Sequence, residues 1–260
     1  MERKPTMITG LLVVYALISS FLIVDTNSKL NEEQTVVEET AESIVSLEDV
    51  AGNGRATGFL VTAKSGKNVI ITNAHVCEIN PAFPIFIVYH RKEGSLRTQL
   101  KSPAITIKKD EKHDLCMLTV PTDLKVKPLE LAEKAIVDSK IYIVGYPTIE
   151  LLSASDGFIR GNYVVDAPYE LPLPMCVGKK HYIKTVPIKH DDGKISLEKT
   201  CFLRAIFMFT DALGDHGQSG SPGLNGDGEV VGVMSLINGS ARPFAFLVPL
   251  KSLKEFLSTY

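Results

Sequence analysis

A serine within a glycine-rich loop is the first feature of this chain that could carry out chemistry. Ser219 lies between Gly217 and Gly220, and the loop follows an apolar run at 202–209 that is typical of a buried strand. Glycine lets a backbone turn tightly, so the N–H groups of Gly217 and Ser219 could point together beside the Ser219 hydroxyl. Paired donors of this kind form an oxyanion hole for acyl transfer. By itself such a loop is more often an ordinary turn, so the serine needs partners.

Two further residues have the chemistry that a nucleophilic serine requires. His75 follows the apolar run 69–72 after two small residues, and an imidazole can accept a serine proton near neutral pH. Asp114 precedes the apolar segment 115–120, where a buried carboxylate could orient the imidazole. Each residue also has a structural interpretation, as a strand-end histidine and a turn-forming aspartate. The three sites predict a Ser-His-Asp triad only in combination.

The three motifs together resemble those of the trypsin-like serine peptidases. TNAHVC resembles the histidine signature of that family, HDLCMLTV its aspartate strand and GQSGSP its serine loop. They occur in the family's order, with 39 residues from His75 to Asp114 and 105 from Asp114 to Ser219. The segments TDALGDHGQSGSP and FAFLVPLKSLKEFL are most similar to the HtrA-type branch. No PDZ domain is expected, because the sequence stops at Tyr260 directly after the second segment.

The resemblance implies an all-β fold of two six-stranded antiparallel β-barrels with a C-terminal helix, and a triad in the cleft between them. His75 would be the general base and then the general acid, Asp114 would orient it, and Ser219 would be the nucleophile. The backbone N–H groups of Gly217 and Ser219 would form the oxyanion hole. Neither a cofactor nor a metal ion is implied.

Substrate-binding positions follow from the same resemblance. Ser235 matches a residue that hydrogen-bonds near the triad aspartate, and the backbone of Ser235, Leu236 and Ile237 would pair with an extended polypeptide substrate. Leu213 occupies the place of the acidic residue at the base of the trypsin pocket, so a small or medium apolar substrate side chain is expected. Ser221 replaces the usual second glycine of the family, where we expect the loop to need a positive φ.

Short β-branched runs between Gly, Pro and Asn residues predict the elements that position these groups. Runs of this kind recur from residue 58 to 144 and again from 157 to 248, whereas 250–259 has the i, i+3, i+4 spacing of an amphipathic helix. We assign the first barrel to 46–140 and the second barrel with the terminal helix to 141–260.

The first 24 residues differ from the rest of the chain. The apolar run 8–24 follows basic residues and predicts an N-terminal hydrophobic helix, near the lower length limit for crossing a bilayer. No A-x-A site follows it, so we interpret 1–24 as an uncleaved signal anchor, with a cleaved signal peptide or a buried core helix as alternatives. Residues 25–45 are rich in acidic side chains, which indicates a linker. The anchor would place the domain outside the membrane, in the periplasm, a lumen or the extracellular space, and cleavage would make it secreted.

The four cysteines are Cys77, Cys116, Cys176 and Cys201, which allow three pairings. Disulfides persist in the compartment that the anchor predicts. Cys77 and Cys116 each lie two residues beyond a triad member, so we expect Cys77–Cys116 with Cys176–Cys201. Free buried thiols are the alternative.

Composition excludes several classes of protein. With 45% hydrophobic residues and a net charge of −2, the chain can bury a core and shows no basic stripe for nucleic acid. The expected partners are a polypeptide substrate and the membrane, and the sequence indicates no oligomeric state. The principal alternative function is a weak or inactive trypsin-like domain that binds peptides or is recruited to membranes.

Overall fold

The computed structural model describes residues 32–49, 52, 54–78, 85–93, 96–147, 151–168, 181–189, 193–237 and 243–260. These residues contain fourteen strands, which form two antiparallel sheets, and three α-helices. In the first half of the chain the elements are α1 (32–40), a 3-10 turn (Ala41–Ser43), β1 (Ile44–Glu48), β2 (Gly54–Thr62), β3 (Asn68–Thr72), α2 (Ala74–Glu78), β4 (Phe86–Glu93), β5 (Leu96–Pro103), β6 (Thr106–Asp110) and β7 (Leu115–Leu118). In the second half they are β8 (Lys140–Gly145), β9 (Ser153–Pro168), β10 (His181–Lys189), β11 (Ile195–Leu213), β12 (Pro222–Leu224), β13 (Val230–Ile237), β14 (Phe244–Pro249) and α3 (Leu250–Leu257).

The second sheet closes into a barrel of six strands. Its order is β11-β14-β13-β12-β8-β9, and β9 pairs again with β11 to complete the ring. Strand β10 adds a seventh strand outside the ring, because it pairs with the part of β11 that extends beyond the barrel. Six closed strands confirm the predicted architecture for this half.

The first sheet has seven strands, in the order β5-β4-β1-β2-β3-β7-β6. The prediction of six strands is wrong here, and among the described residues no pairing of β5 with β6 closes the sheet. Strands β1 and β5 were missed by pattern reasoning. Strand β5, LRTQLKSP, pairs only with β4 in a hairpin at the sheet edge, and none of the residues in it whose burial is described is fully buried.

The central strands β3 and β7 are buried on both faces, which explains why their sequences are continuous apolar runs. In β3 and β7, Ile70 and Leu118 belong to a core inside the first sheet. Their neighbours Ile71 and Met117 belong to a second core that also contains Tyr142 of β8 and Phe256 of α3. The period of two in a strand thus sends alternate side chains into the first sheet and into the contact between the two halves.

Part of the segment that is expected to be an acidic linker forms regular structure. Residues 32–40 are helical, Val36 is only 2% exposed and packs in the core between the halves, and β1 begins at Ile44. The segment from Val36 to 45 therefore packs against the folded domain, although its sequence mixes acidic and apolar residues. The predicted helix at 8–24 lies outside the described residues. No helix within the described part of the chain is long and apolar enough to span a bilayer.

The terminal helix α3 is amphipathic, as its spacing predicts. Leu250, Leu253, Phe256 and Leu257 are buried, and the helix packs on β13 and β14. Three- and four-residue steps place these side chains on one face.

Candidate active site

His75 and Asp114 meet at the end of two adjacent strands. Asp114 lies at the start of β7 with a φ of 55° and a side chain that is 4% exposed. His75 lies in α2, directly after β3, and its side chain is 35% exposed. Both carboxylate oxygens of Asp114 are 3.0 Å from His75 Nδ1, and the His75 backbone N–H donates to Oδ1 at 3.1 Å. The carboxylate thereby orients both the ring and the backbone of the histidine.

Two further residues hold Asp114 in this position. Ser235 donates from Oγ to Asp114 Oδ2 at 2.5 Å, and Asn73 donates from Nδ2 to the Asp114 carbonyl at 3.0 Å. Ser235 reaches inward because the β13–β14 register shifts between Met234 and Leu236, which is a β-bulge. Sequence reasoning missed Asn73, although it stands two residues before His75 in the histidine motif.

A disulfide links α2, which contains His75, to β7, which directly follows Asp114. Cys77 of α2 and Cys116 of β7 are bonded, as predicted, and each follows a member of the His75–Asp114 pair by two residues. Cys201 is also disulfide-bonded; its predicted partner, Cys176, lies outside the described residues.

The Ser219 loop uses nearly all of its own backbone donors. Donors and acceptors pair as Gly214 N–H to Pro243 O, Asp215 N–H to Gln218 Oε1, His216 N–H to Asp215 Oδ1, Gln218 N–H to Asp215 O, Gly220 N–H to Met234 O and Ser221 N–H to Gln218 O. Within the described residues, the two N–H groups of this loop that reach no protein acceptor are those of Gly217 and Ser219. These are the two donors expected to form an oxyanion hole.

The glycines of the loop are required by its conformation. Gly217 and Gly220 have φ values of 89° and 85°, in the left-handed region that L side chains rarely adopt. A Cβ on Gly220 would lie 2.1 Å from the Thr57 carbonyl oxygen. Ser221 is not among the described residues with positive φ, so the expectation of strain at Ser221 is wrong, and its fully buried side chain lies close to Gly145.

The predicted substrate-binding residues lie at the ends of two strands of the second barrel. Leu213 ends β11 with 48% exposure, and its carbonyl accepts a hydrogen bond from Ser155 Oγ at 2.6 Å. A Cβ on the adjacent Gly214 would lie 2.5 Å from Ile237, so the two strand ends are close. Leu236 packs against the core between the halves.

An ion pair lies close to Leu213 on β11. Arg160 binds Asp211 through Nε at 2.8 Å, and the Phe158 N–H donates to the same carboxylate at 2.6 Å. Burial by itself would raise the pKa of Asp211, but the hydrogen bonds from Phe158 and Arg160 outweigh it and hold the pKa below its usual value. This charged contact braces the β9–β11 pairing beside the site.

The family model for a trypsin-like peptidase domain matches residues 56–233, which include His75, Asp114 and Ser219. The chain belongs to the trypsin-like peptidase family. Its curated relatives include serine protease HTRA4 of Mus musculus, 25% identical over 89% of this chain, and serine protease HTRA1B of Danio rerio, 25% identical over 86%. The chain spans 41% and 40% of the lengths of these two relatives.

Solved structures of the same fold include two proteases. The MamO protease domain from Magnetospirillum magneticum is 16% identical, covers 84% of this chain and 97% of its own, and superposes with a TM-score of 0.59. The serine endoprotease from Yersinia pestis is 18% identical, covers 86% of this chain and 64% of its own, and gives a TM-score of 0.56. At these identities the likeness shows the fold, and the trypsin-like peptidase domain is recognised by the family model.

Proposed function

We propose that this trypsin-like domain is an active serine endopeptidase that cleaves polypeptides through an acyl-enzyme intermediate. The observation that carries the proposal is the pair of N–H groups at Gly217 and Ser219 that find no protein acceptor in the described residues. They belong to Ser219 itself and to the glycine two residues before it, in a loop whose other backbone N–H groups all donate to acceptors within the protein. The Asp114–His75 pair supplies the base that such a serine needs.

The three side chains and the two N–H groups have distinct roles in the proposed reaction. With its Nδ1–H directed to Asp114, His75 presents the lone pair of Nε2 to the serine hydroxyl. Ser219 Oγ attacks the substrate carbonyl carbon while its proton moves to His75, and the resulting oxyanion accepts from Gly217 and Ser219 N–H. The proton then passes to the leaving amine as the C–N bond breaks. Water hydrolyses the acyl-enzyme by the same steps, returning the proton to Ser219.

The proposed substrate is a polypeptide with a small or medium apolar side chain before the cleaved bond. Support comes from Leu213 and Ile237, which are apolar residues at neighbouring strand ends beside the Ser219 loop. The backbone of Ser235, Leu236 and Ile237 would pair with the extended substrate, because β13 passes next to the loop through the Gly220 N–H to Met234 O bond.

We also propose that the domain works outside a membrane and is tethered to it by residues 8–24. The apolar run supports a tether, and the disulfides at Cys77–Cys116 and Cys201 support an oxidising compartment. Extraction tests this: the full chain should need detergent, whereas a variant beginning at residue 32 should be soluble. A shortened, soluble mature form in cells expressing the full chain would contradict the tether and favour a cleaved signal.

Cleavage-site profiling on a peptide library tests activity and specificity in one experiment. Wild type should cleave after small or medium apolar residues, and Ser219→Ala should abolish all cleavage. Leu213→Asp should shift the preference towards Lys and Arg, because a carboxylate would then lie beside the bound side chain. A folded wild-type protein that cleaves no peptide but binds the library would support the alternative, a peptide-binding domain without activity.

A further inference from the structure

We propose that Thr57 of β2 is a positioning residue that holds the oxyanion loop in its reactive geometry. The proposal rests on the peptidase function proposed above and adds a residue that lies outside the three motifs. Thr57 is fully buried, so its polar groups must be paired within the protein. They are paired with the Ser219 loop, with Thr72 of β3 and with Tyr146, which follows β8.

The backbone of Thr57 is available to the loop because of the strand register. The β2–β3 ladder begins at Phe59, two residues farther along β2. Beyond that end, Thr57 N–H donates to the Ser219 carbonyl at 2.8 Å, and the Thr57 carbonyl accepts from Thr72 Oγ1 at 2.8 Å. Thr72 is the last residue of β3 and lies three residues before His75. Thr57 therefore connects the nucleophile loop to β3, the strand that directly precedes the helix with His75.

The Thr57 hydroxyl makes the second connection. Its Oγ1 donates to the Gly217 carbonyl at 3.0 Å and accepts from Tyr146 N–H at 2.9 Å. Gly217 has a φ of 89°, and the backbone of a glycine is free to rotate through more conformations than that of any other residue. Fixing its carbonyl limits rotation of the peptide unit next to the Gly217 N–H. One hydroxyl thereby links the first oxyanion donor to β2 and to the end of β8.

The close packing of the loop against this residue supports the same role. A Cβ on Gly220 would lie 2.1 Å from the Thr57 carbonyl and 2.3 Å from Thr72 Oγ1. The loop therefore rests directly on the two threonines. A preorganised pair of donors stabilises the transition state without reorganisation during the reaction, and Thr57 contacts the carbonyl groups of both residues that supply the pair.

The test compares two hydroxyl-free variants, Thr57→Val and Thr57→Ala, with Thr57→Ser, which keeps the hydroxyl. Thr40→Val is the matched control, because Thr40 is also buried and donates one side-chain hydrogen bond, to Val36 O, away from the site. In Thr57→Val, kcat should fall by about tenfold to 100-fold, as displacement of a catalytic group does, with KM changed by less than about twofold. The inhibition constant of a peptide boronate, which forms a tetrahedral adduct, should rise in proportion. Thr57→Ser should restore kcat, and Thr40→Val should leave it unchanged.

Amide hydrogen exchange gives a readout that does not depend on activity. In Thr57→Val, exchange in 214–221 should accelerate relative to wild type and to Thr40→Val, while α3 stays protected. A folded wild-type protein that shows no turnover would contradict the proposed peptidase function. The amide exchange of the variants would still decide whether Thr57 holds the loop. Unchanged amide exchange in 214–221, or a wild-type kcat in a folded hydroxyl-free variant, would overturn the positioning role. So would a Thr57→Ser variant whose kcat stays as low as that of Thr57→Val, or a failure of both hydroxyl-free variants to fold.

Discussion

Loss of the Cys77–Cys116 disulfide should lower the stability of the domain by an amount that can be worked out from the loop it closes. The two cysteines are 39 residues apart, and the chain-entropy relation gives about 4 kcal/mol for a loop of this length at 25 °C. For a domain of this size that corresponds to a fall in Tm of roughly 10 °C. The effect should be concentrated near the site, because the bond joins α2 to β7.

The variant that isolates the cross-link is Cys77→Ala combined with Cys116→Val. Cys116 is fully buried, so valine keeps most of the volume in the core. Met117→Leu is the control for a change within β7 that leaves the disulfide intact, and it should cost less than about 1.5 kcal/mol. Both are compared with wild type by denaturant unfolding under non-reducing conditions, and the disulfide of the wild type is checked by intact mass.

A second readout locates the effect. Amide exchange across 74–78 should increase in the double variant, whereas α3 should keep its protection relative to the global stability. A loss of less than about 1 kcal/mol, or a uniform rise in exchange across the domain, would refute the reasoning that this bond constrains the segment carrying His75.

Three further changes test other contacts of the site. Ser235→Ala should reduce kcat/KM by about tenfold or more, because a hydrogen bond to a charged carboxylate is lost; an unchanged value would mean that Asp114 does not need it. Gly145→Ala should destabilise by about 1–3 kcal/mol, since its Cβ would lie 1.9 Å from Ser221 Oγ. Adding Ser221→Gly should recover part of that loss in thermal unfolding, and strict additivity would contradict the clash. Arg160→Gln should make the free energy of unfolding depend less steeply on pH in acid. The lowered pKa of Asp211 adds stability that is complete above about pH 4 and is lost as the pH falls through the pKa of the folded state. An unchanged slope of the free energy of unfolding between about pH 5 and 2 would contradict this.

The contact between His75 and Asp114 could be predicted because each residue follows or precedes a strand that is buried on both faces. Such strands, β3 and β7, are continuous apolar runs, and they bring His75 and Asp114 to adjacent strand ends. The disulfide pairing followed from the same adjacency. The register that brings Ser235 inward depends on a bulge, which no local pattern in β13 indicates.

The parts that pattern reasoning missed are those in which burial comes from distant residues. Val36 is buried by the contact between the halves, although its neighbours are acidic. Thr57 is an ordinary β2 residue in the sequence and gains its role only when the Ser219 loop lies against it. Likewise, the positive φ expected near Ser221 falls on Gly217 and Gly220, because the turn is set by contacts with β2 and β13.

The most direct test of the central claim is to locate the covalent adduct of a fluorophosphonate probe by mass spectrometry. A folded wild-type domain should take up one probe molecule, on Ser219, and Ser219→Ala should take up none. Ser221→Ala should still be labelled, because that side chain is fully buried, whereas His75→Ala should be labelled much more slowly. Labelling at another serine, labelling that survives Ser219→Ala, or no labelling of the folded wild type would contradict the assignment of Ser219 as the nucleophile.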